Sequence, residues 1–114
     1  MKRRTKEFAL RVIAMTDALP RNAKGRVLGQ QVLRSGTSIG ANYREAYRSR
    51  SKAEFLAKIG DSLKEAEETG YWLELIEGAQ LLAAKRLAPL RDECSQLVSL
   101  LVSIRRKGTD ALNS

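Results

Sequence analysis

The feature that most constrains the fold is a stripe of apolar residues near the end of the chain, spaced alternately by three and four positions. The stripe consists of Leu87, Leu90, Cys94, Leu97, Leu101 and Ile104. This spacing gathers side chains on one face of an α-helix and is typical of helices that pack lengthwise against one another. An earlier segment repeats the pattern with Phe55, Ile59, Leu63, Ala66, Gly70, Leu73 and Ile76. Two long amphipathic helices are therefore predicted, and both need apolar partners.

The first half of the chain contains two more helical segments. Phe8, Val12 and Ile13 are predicted to share the inner face of the first segment. Pro20 ends that segment, because the residue before a proline avoids helical backbone angles. Asn22 then supplies a good N-cap for the second segment. Both segments can cover the apolar faces of the two later helices.

The later helices also have recognisable ends. Ser51 and Glu54 form a capping box, and Gly108 is predicted to cap the last helix, with a frayed tail beyond it. We predict one domain, residues 1–114, with helices over about residues 6–19, 22–48, 51–78 and 83–106. Long helices with short connections indicate an all-α fold, an antiparallel up-down four-helix bundle.

Four glycines on the second helix need a physical reason, since each costs about 1 kcal/mol relative to alanine in a helix. They are Gly25, Gly29, Gly36 and Gly40. The segments around them lack the spacing of a phosphate-binding loop and follow no strand. We predict that a neighbouring helix approaches the backbone closely here, and a kink near Gly36 remains the alternative.

Polar residues occupy or flank the inner stripe of the same helix. Because buried polar groups are almost always hydrogen-bonded, we predict a structural polar network that joins this helix to the third. Its members are Ser35, Ser38, Asn42, Glu45 and Glu65. A concave ligand site built from the same residues is the alternative.

The charge of the chain is unevenly distributed. The formal net charge is +8 at pH 7, with 12 Lys or Arg against 3 Asp or Glu in residues 1–50, and 3 against 7 in residues 51–80. So concentrated a basic excess favours an anionic partner over a purely solvated surface. We predict a nucleic-acid-binding surface made of Arg44, Arg48, Arg50 and Lys52, with Lys2, Arg3 and Arg4 as a second cluster.

Two tyrosines, Tyr43 and Tyr47, are interleaved with the first of these clusters. Arginine forks match phosphate geometry, and a nearby tyrosine can stack on an unpaired base. The alternative is that the arginines pair with glutamates of the third helix. Charge alone does not distinguish RNA from DNA.

Catalytic chemistry has few candidate residues in this chain. There is no histidine, and Cys94 is the single cysteine, so an intramolecular disulfide and a zinc site are excluded. We expect Cys94 in the core, a cytoplasmic location, and no enzyme activity, cofactor or metal. A magnesium site made from carboxylates such as Glu45 and Glu65 is the remaining alternative. No apolar run approaches the length of a membrane span.

Three motifs in the middle of the chain match a known family in order and spacing. The patterns are S-x-S-I-x-A-N-x-x-E, looser at Ser35, then S-x-x-E-F and S-L-x-E-x-x-E-T. Here they are carried by Ser38, Ile39, Ala41, Asn42 and Glu45, then Ser51, Glu54 and Phe55, then Ser62, Leu63, Glu65, Glu68 and Thr69. In these motifs the chain resembles the four-helix-bundle proteins encoded in 23S rRNA intervening sequences.

The resemblance implies an assembly as well as a fold. It implies a ring-like homo-oligomer, a homopentamer, with a basic surface that binds nucleic acid, RNA favoured, and no enzymatic activity. A related branch is the accessory protein of diversity-generating retroelements, which associates with a reverse transcriptase. The resemblance therefore gives an alternative function, a protein-interaction adaptor such as an accessory subunit of a reverse transcriptase.

Overall fold

Four α-helices make up the fold, and the all-α prediction is confirmed. The computed structural model describes residues 1–113, except for the side chain of Leu112, and within them there is no strand. The helices are α1 (Lys2–Thr16), α2 (Ala23–Ala46), α3 (Lys52–Gly78) and α4 (Ala84–Asn113). They form an elongated bundle that measures 50 × 21 × 21 Å.

The helix ends differ from the predicted ones mainly at the two ends of the chain. α1 begins at Lys2 rather than near residue 6, and it ends at Thr16. α4 continues to Asn113, so the predicted cap at Gly108 is wrong, and the tail predicted to fray is helical as far as Asn113, with Ser114 outside the described residues. Gly108 lies inside the helix, where an added Cβ would come within 2.6 Å of Leu56. Packing against α3 therefore extends α4 beyond the point where its sequence predicts an end.

Consecutive helices run antiparallel. Near the start of α1, Thr5 lies against Gly40 near the end of α2, as antiparallel packing requires. Ser62, early in α3, donates to the carbonyl of Ile39 late in α2. Arg91, early in α4, bonds to a glutamate late in α3. α2 and α3 share the largest interface, whereas α1 and α4 share a small one.

The core follows the predicted stripes with one exception on α1. Phe8, Val12 and Met15 are buried, but Ile13 is 42% exposed, so its predicted inner position is wrong. One residue along a helix turns the side chain by about 100°, which takes Ile13 out of the face that Val12 occupies. Cys94 is buried as predicted, and its Sγ donates to the carbonyl of Ala66 at 3.2 Å.

Two glycines of α2, Gly36 and Gly40, face α1 and confirm the predicted close approach. A Cβ at Gly36 would lie 3.0 Å from both methyl groups of Val12, and a Cβ at Gly40 would lie 3.0 Å from the hydroxyl of Thr5. α2 is continuous through these positions, so it has no break at Gly36. The close contact places the first turn of α1 beside the last turn of α2.

No helix in the described part of the chain is long and apolar enough to span a membrane.

Candidate nucleic-acid interface

An open pocket lies at the end of the bundle where α1 begins and α2 ends. Its volume is about 350 Å³, and part of each predicted basic cluster contributes to it. It is lined by Lys2, Tyr43, Arg44, Tyr47 and Arg48. This basic–aromatic pocket exists because antiparallel packing brings together two segments that are distant in the sequence.

The cations of the pocket are not neutralised by neighbouring carboxylates. Lys2, Arg44 and Arg48 form no ion pair within residues 1–113. Glu45 lies on the same turn of α2, but its carboxylate binds Lys58 at 2.8 Å. The hydrogen bond from Lys58 lowers the pKa of Glu45, and the charge of Arg48 contributes less. The positive charge of the pocket is therefore available to an external anion.

The start of α1 adds to the positive potential. No side chain caps this helix at Met1, and its first turn contains no acidic residue. The positive end of a helix dipole destabilises nearby cations, each by some tenths of a kcal/mol. Lys2 nevertheless lies at this end and lines the pocket. A bound anion would relieve this repulsion.

The aromatic side of the pocket is held by ring contacts. The centroids of Tyr43 and Tyr47 are 4.9 Å apart, and the edge contact between Tyr47 and Phe55 has a centroid distance of 5.1 Å. Tyr43 is half-buried, whereas Tyr47 is 59% exposed. Burial, with a smaller contribution from the Tyr47 hydroxyl, raises the pKa of Tyr43. Its phenol therefore stays neutral and adds no negative charge.

Four predicted site residues lie outside this pocket. Arg50 and Lys52 are exposed around the start of α3, and neither lines the cavity. Arg3 is exposed and lies 3.9 Å from Glu7 of its own helix. Of the seven predicted cations, Lys2, Arg44 and Arg48 line the pocket.

Arg4 is turned away from the pocket toward α4. Its Nε and Nη2 donate to the two carboxylate oxygens of Glu93, each at 2.7 Å, and Nη2 also reaches Gln96. The hydrogen bond from Arg4 lowers the pKa of Glu93. Two residues along a helix turn the side chain by about 200°, which is why Lys2 and Arg4 point to different neighbours.

The predicted polar residues make separate contacts, and the contact at Ser35 joins α2 to α3. Ser35 accepts a hydrogen bond from Thr69 at 2.8 Å, and both are buried. Asn42 instead bonds to the carbonyl of Ser38 in its own helix at 3.0 Å. Glu65 binds an arginine of α2. The carboxylates lie at the surface rather than inside the bundle.

The structure adds two buried polar residues on α3, Ser62 and Thr69. The hydroxyl of Ser62 donates to the carbonyl of Ile39 at 2.7 Å across the α2–α3 interface. Both residues occur in the third sequence motif, seven positions apart and therefore on one helical face. That spacing in the sequence could have indicated that both hydroxyl groups face the interior of the bundle.

The two carboxylates named for a magnesium site, Glu45 and Glu65, are each bound by a basic side chain. Among the described residues, no group of three or more His, Cys, Asp or Glu is arranged to hold a metal ion. Glu65 and Glu68 both bind the guanidinium of Arg34, and Glu45 binds a lysine. The magnesium alternative therefore lacks a set of ligands.

A second depression, the acidic groove, runs between α3 and α4. Its volume is about 370 Å³, and its outer rim carries Glu67, Tyr71 and Glu74. Arg91 also lines it, but its guanidinium binds Glu77 at 2.8 Å. The groove therefore presents an exposed tyrosine among uncompensated negative charges.

Comparison with known proteins identifies relatives of the whole bundle. A family model described as 23S rRNA-intervening sequence protein matches residues 1–103. A solved structure from Bacteroides thetaiotaomicron VPI-5482 is described as a protein with unknown function from the S23 ribosomal protein family. It is 39% identical to this chain, with a TM-score of 0.86, and the match covers 91% of this chain and 96% of that one. No curated protein matches the chain.

Proposed function

Since the chain belongs to the 23S rRNA-intervening sequence protein family, we propose that it is a non-catalytic, cytoplasmic helical bundle that binds nucleic acid, preferably RNA. The observation that carries the proposal is the meeting of Lys2, Arg44 and Arg48 in one pocket without partner carboxylates. Phosphates supply the missing negative charge. The preference for RNA is supported by the descriptions of the family and of the solved relative, which refer to 23S rRNA and to a ribosomal protein family.

The geometry of the cations supports phosphate binding. Arginine presents a planar fork of donors that matches phosphate oxygens, and lysine adds a point charge. Arg44 lies in the last turn of α2 and Arg48 lies just beyond its end, and both line the pocket, so both guanidinium groups can reach the same stretch of backbone. Three phosphate contacts to a single strand predict that the logarithm of the affinity falls with the logarithm of salt, with a slope of about −2.

We propose further that the protein is a ring-like homo-oligomer, with five subunits. Exposed apolar side chains on the first two helices support self-association, among them Leu10 and Val27 at 54% each and Ile13 at 42%. A ring would repeat the pocket around one axis and bind a long strand multivalently. Light scattering after size-exclusion chromatography tests this, and a monomer at micromolar concentration would contradict it.

A salt series tests the binding proposal. Fluorescence anisotropy with a labelled RNA should give a slope of about −2 for the natural protein and about −0.7 for Arg44→Gln/Arg48→Gln, which keeps one of the three phosphate contacts. The matched control is Arg21→Gln/Arg26→Gln, which removes two exposed arginines at the opposite end of α2, one just before the helix and one near its start. Binding that does not depend on salt, or an equal effect of both pairs, would contradict the proposal.

Co-purification from host cells distinguishes the alternative function. A partner that is released by nuclease treatment is bridged by nucleic acid. A protein that remains bound after nuclease treatment favours an adaptor, for example an accessory subunit of a reverse transcriptase.

A further inference from the structure

We infer that the basic–aromatic pocket selects single-stranded nucleic acid, because Tyr47 stacks on an unpaired base while Arg44 and Arg48 hold the adjoining phosphate. This inference rests on the proposed nucleic-acid binding and specifies the form of nucleic acid that is bound. It adds a role for a residue that carries no charge.

Tyr47 is both accessible and held in position. More than half of the side chain is exposed, at 59%, although two aromatic rings contact it. Tyr43 lies against it with a centroid distance of 4.9 Å, and Phe55 contacts it edge to face at 5.1 Å. A ring that its neighbours already hold loses little conformational entropy when a ligand binds. Tyr47 therefore offers a prepared surface for one more flat ring.

The cations lie beside this ring in the same cavity. Arg44 and Arg48 flank Tyr47 in sequence, and all three line the pocket. In a nucleic-acid strand, each base is joined through its sugar to a phosphate, so a base on the ring brings a phosphate close to the guanidinium groups. Stacking and charge are the two parts from which single-strand binding sites are built.

The size of the pocket disfavours a duplex. A volume of about 350 Å³ is at the small end of the range of about 300–1,000 Å³ that holds small molecules. Bases in a duplex are stacked on each other, and the major groove of A-form RNA is too narrow for side chains to read. A duplex would reach the cations through its backbone but leave the Tyr47 ring unused.

Tyr71 is an exposed tyrosine like Tyr47, but it has no free cations beside it. It is 53% exposed and lies 5.3 Å from the ring of Trp72, so its surroundings resemble those of Tyr47 in aromatic contact. Glu67 and Glu74 line the groove on either side of it. Their charges repel a phosphate, so stacking on Tyr71 is opposed by electrostatic repulsion. The chain thus contains its own matched control.

The test compares one strand in two forms. The probes are a labelled oligouridine of about ten nucleotides, within the usual range for single-strand sites, and the same strand annealed to oligoadenine. At one fixed salt concentration, the natural protein is expected to bind the single strand more tightly. Tyr47→Ala should weaken single-strand binding about 10-fold and leave duplex binding unchanged, because one base-stacking contact is lost. Tyr47→Phe, which keeps the ring, should restore most of the affinity.

Tyr71→Ala is the control and should change neither affinity, and circular dichroism checks that each variant is folded. Equal binding of both forms, or equal loss from both in Tyr47→Ala, would overturn this inference and leave salt-dependent binding intact. Absence of salt-dependent binding to either probe would overturn the proposed function as well. The preference of the natural protein for the single strand is measured without any variant, so a variant that fails to fold does not remove the test.

Discussion

The basic–aromatic pocket and the acidic groove are similar in volume and in presenting an exposed tyrosine, but they are opposite in charge. Each depression has an exposed tyrosine with a second aromatic ring about 5 Å away, namely Tyr47 beside Tyr43 and Tyr71 beside Trp72. Free cations surround the first tyrosine, whereas Glu67 and Glu74 line the groove beside Tyr71. An exposed aromatic side chain therefore does not identify a nucleic-acid site until its charged neighbours are known.

The difference in charge between the two depressions depends on which charged side chains are neutralised in ion pairs. Two arginines are bound by glutamates of α3, Arg34 by Glu65 and Glu68 and Arg91 by Glu77, so Arg91 does not neutralise Glu67 and Glu74 in the groove that it lines. At the opposite side of the bundle, pairing leaves three cations without partners at the pocket. Ion pairs between helices thus determine the charge that each surface presents.

The largest expected effect comes from reversing the charge of the pocket. Arg44→Glu/Arg48→Glu places two carboxylates where phosphates are proposed to bind, and like charges in contact cost several kcal/mol. RNA affinity should fall at least about 100-fold, measured by anisotropy at constant salt. The same reversal of Arg21 and Arg26 changes the net charge equally, so a similar loss there would show that net charge and not the pocket controls binding.

A smaller effect is expected on stability, where a tightly packed glycine of α2 can be compared with a loosely packed glycine of α3. An added Cβ at Gly25 would lie 1.9 Å from the carbonyl oxygen of Pro20, whereas at Gly70 it would meet only Cys94 Sγ, at 3.8 Å. Gly25→Ala should lower the free energy of unfolding by about 2 kcal/mol, because rigid backbone must move. Gly70→Ala should be neutral or stabilise by up to about 1 kcal/mol. Urea unfolding measures both, and equal losses would contradict the close contact between Gly25 and the Pro20 backbone.

Converting the groove should produce a gain that is smaller than the loss at the pocket. Glu67→Lys/Glu74→Lys surrounds Tyr71 with cations and adds about two phosphate contacts, which gives a steeper salt dependence. Single-strand RNA should bind a few-fold more tightly at low salt. The Glu67→Gln/Glu74→Gln variant removes the repulsion without adding cations and should fall between. A loss of affinity on adding the lysines would show that the groove opposes RNA for some reason other than charge.

The smallest effect concerns the ion pair that removes Arg4 from the pocket. The pKa of Glu93 is lowered by its hydrogen bond with Arg4, so the stabilisation is present above the ordinary glutamate pKa, about 4.3, and is lost as the pH falls. Glu93→Gln should lower the free energy of unfolding at pH 7 by less than about 1 kcal/mol, since the pair is partly exposed. The loss should shrink as the pH falls below the ordinary glutamate pKa. Glu7→Gln, in the exposed pair with Arg3, should change nothing.

The helices and their inner faces were accessible from the sequence because helical periodicity is a local property. The end of α4 was not, since Gly108 and the polar tail carry a local stop signal that packing against Leu56 overrides. The close approach at Gly36 and Gly40 was also predictable, because the cost of helical glycine demands a reason. Which helix approaches them depends on how the bundle is assembled.

The sequence predicts that the site contains basic and aromatic residues, but it does not predict which of the basic residues line the pocket. Lys2 and Arg4 are two positions apart, and only the rotation of α1 in the bundle decides that one lines the pocket and the other binds Glu93. The partner of Ser35 depends similarly on the rotation of α3, which presents Thr69. Such pairings depend on how two helices are rotated relative to each other. That rotation is determined by the packing of the whole core and cannot be read from the local sequence.

The most direct test of the central comparison is a map of which amides respond to RNA. Titration of the ¹⁵N-labelled protein with a single-stranded oligouridine should shift the backbone resonances of residues 43–48 and of the first turn of α1. Those of residues 67–74 should stay unchanged. Shifts confined to the acidic groove, or none in the pocket at saturating RNA, would contradict the account.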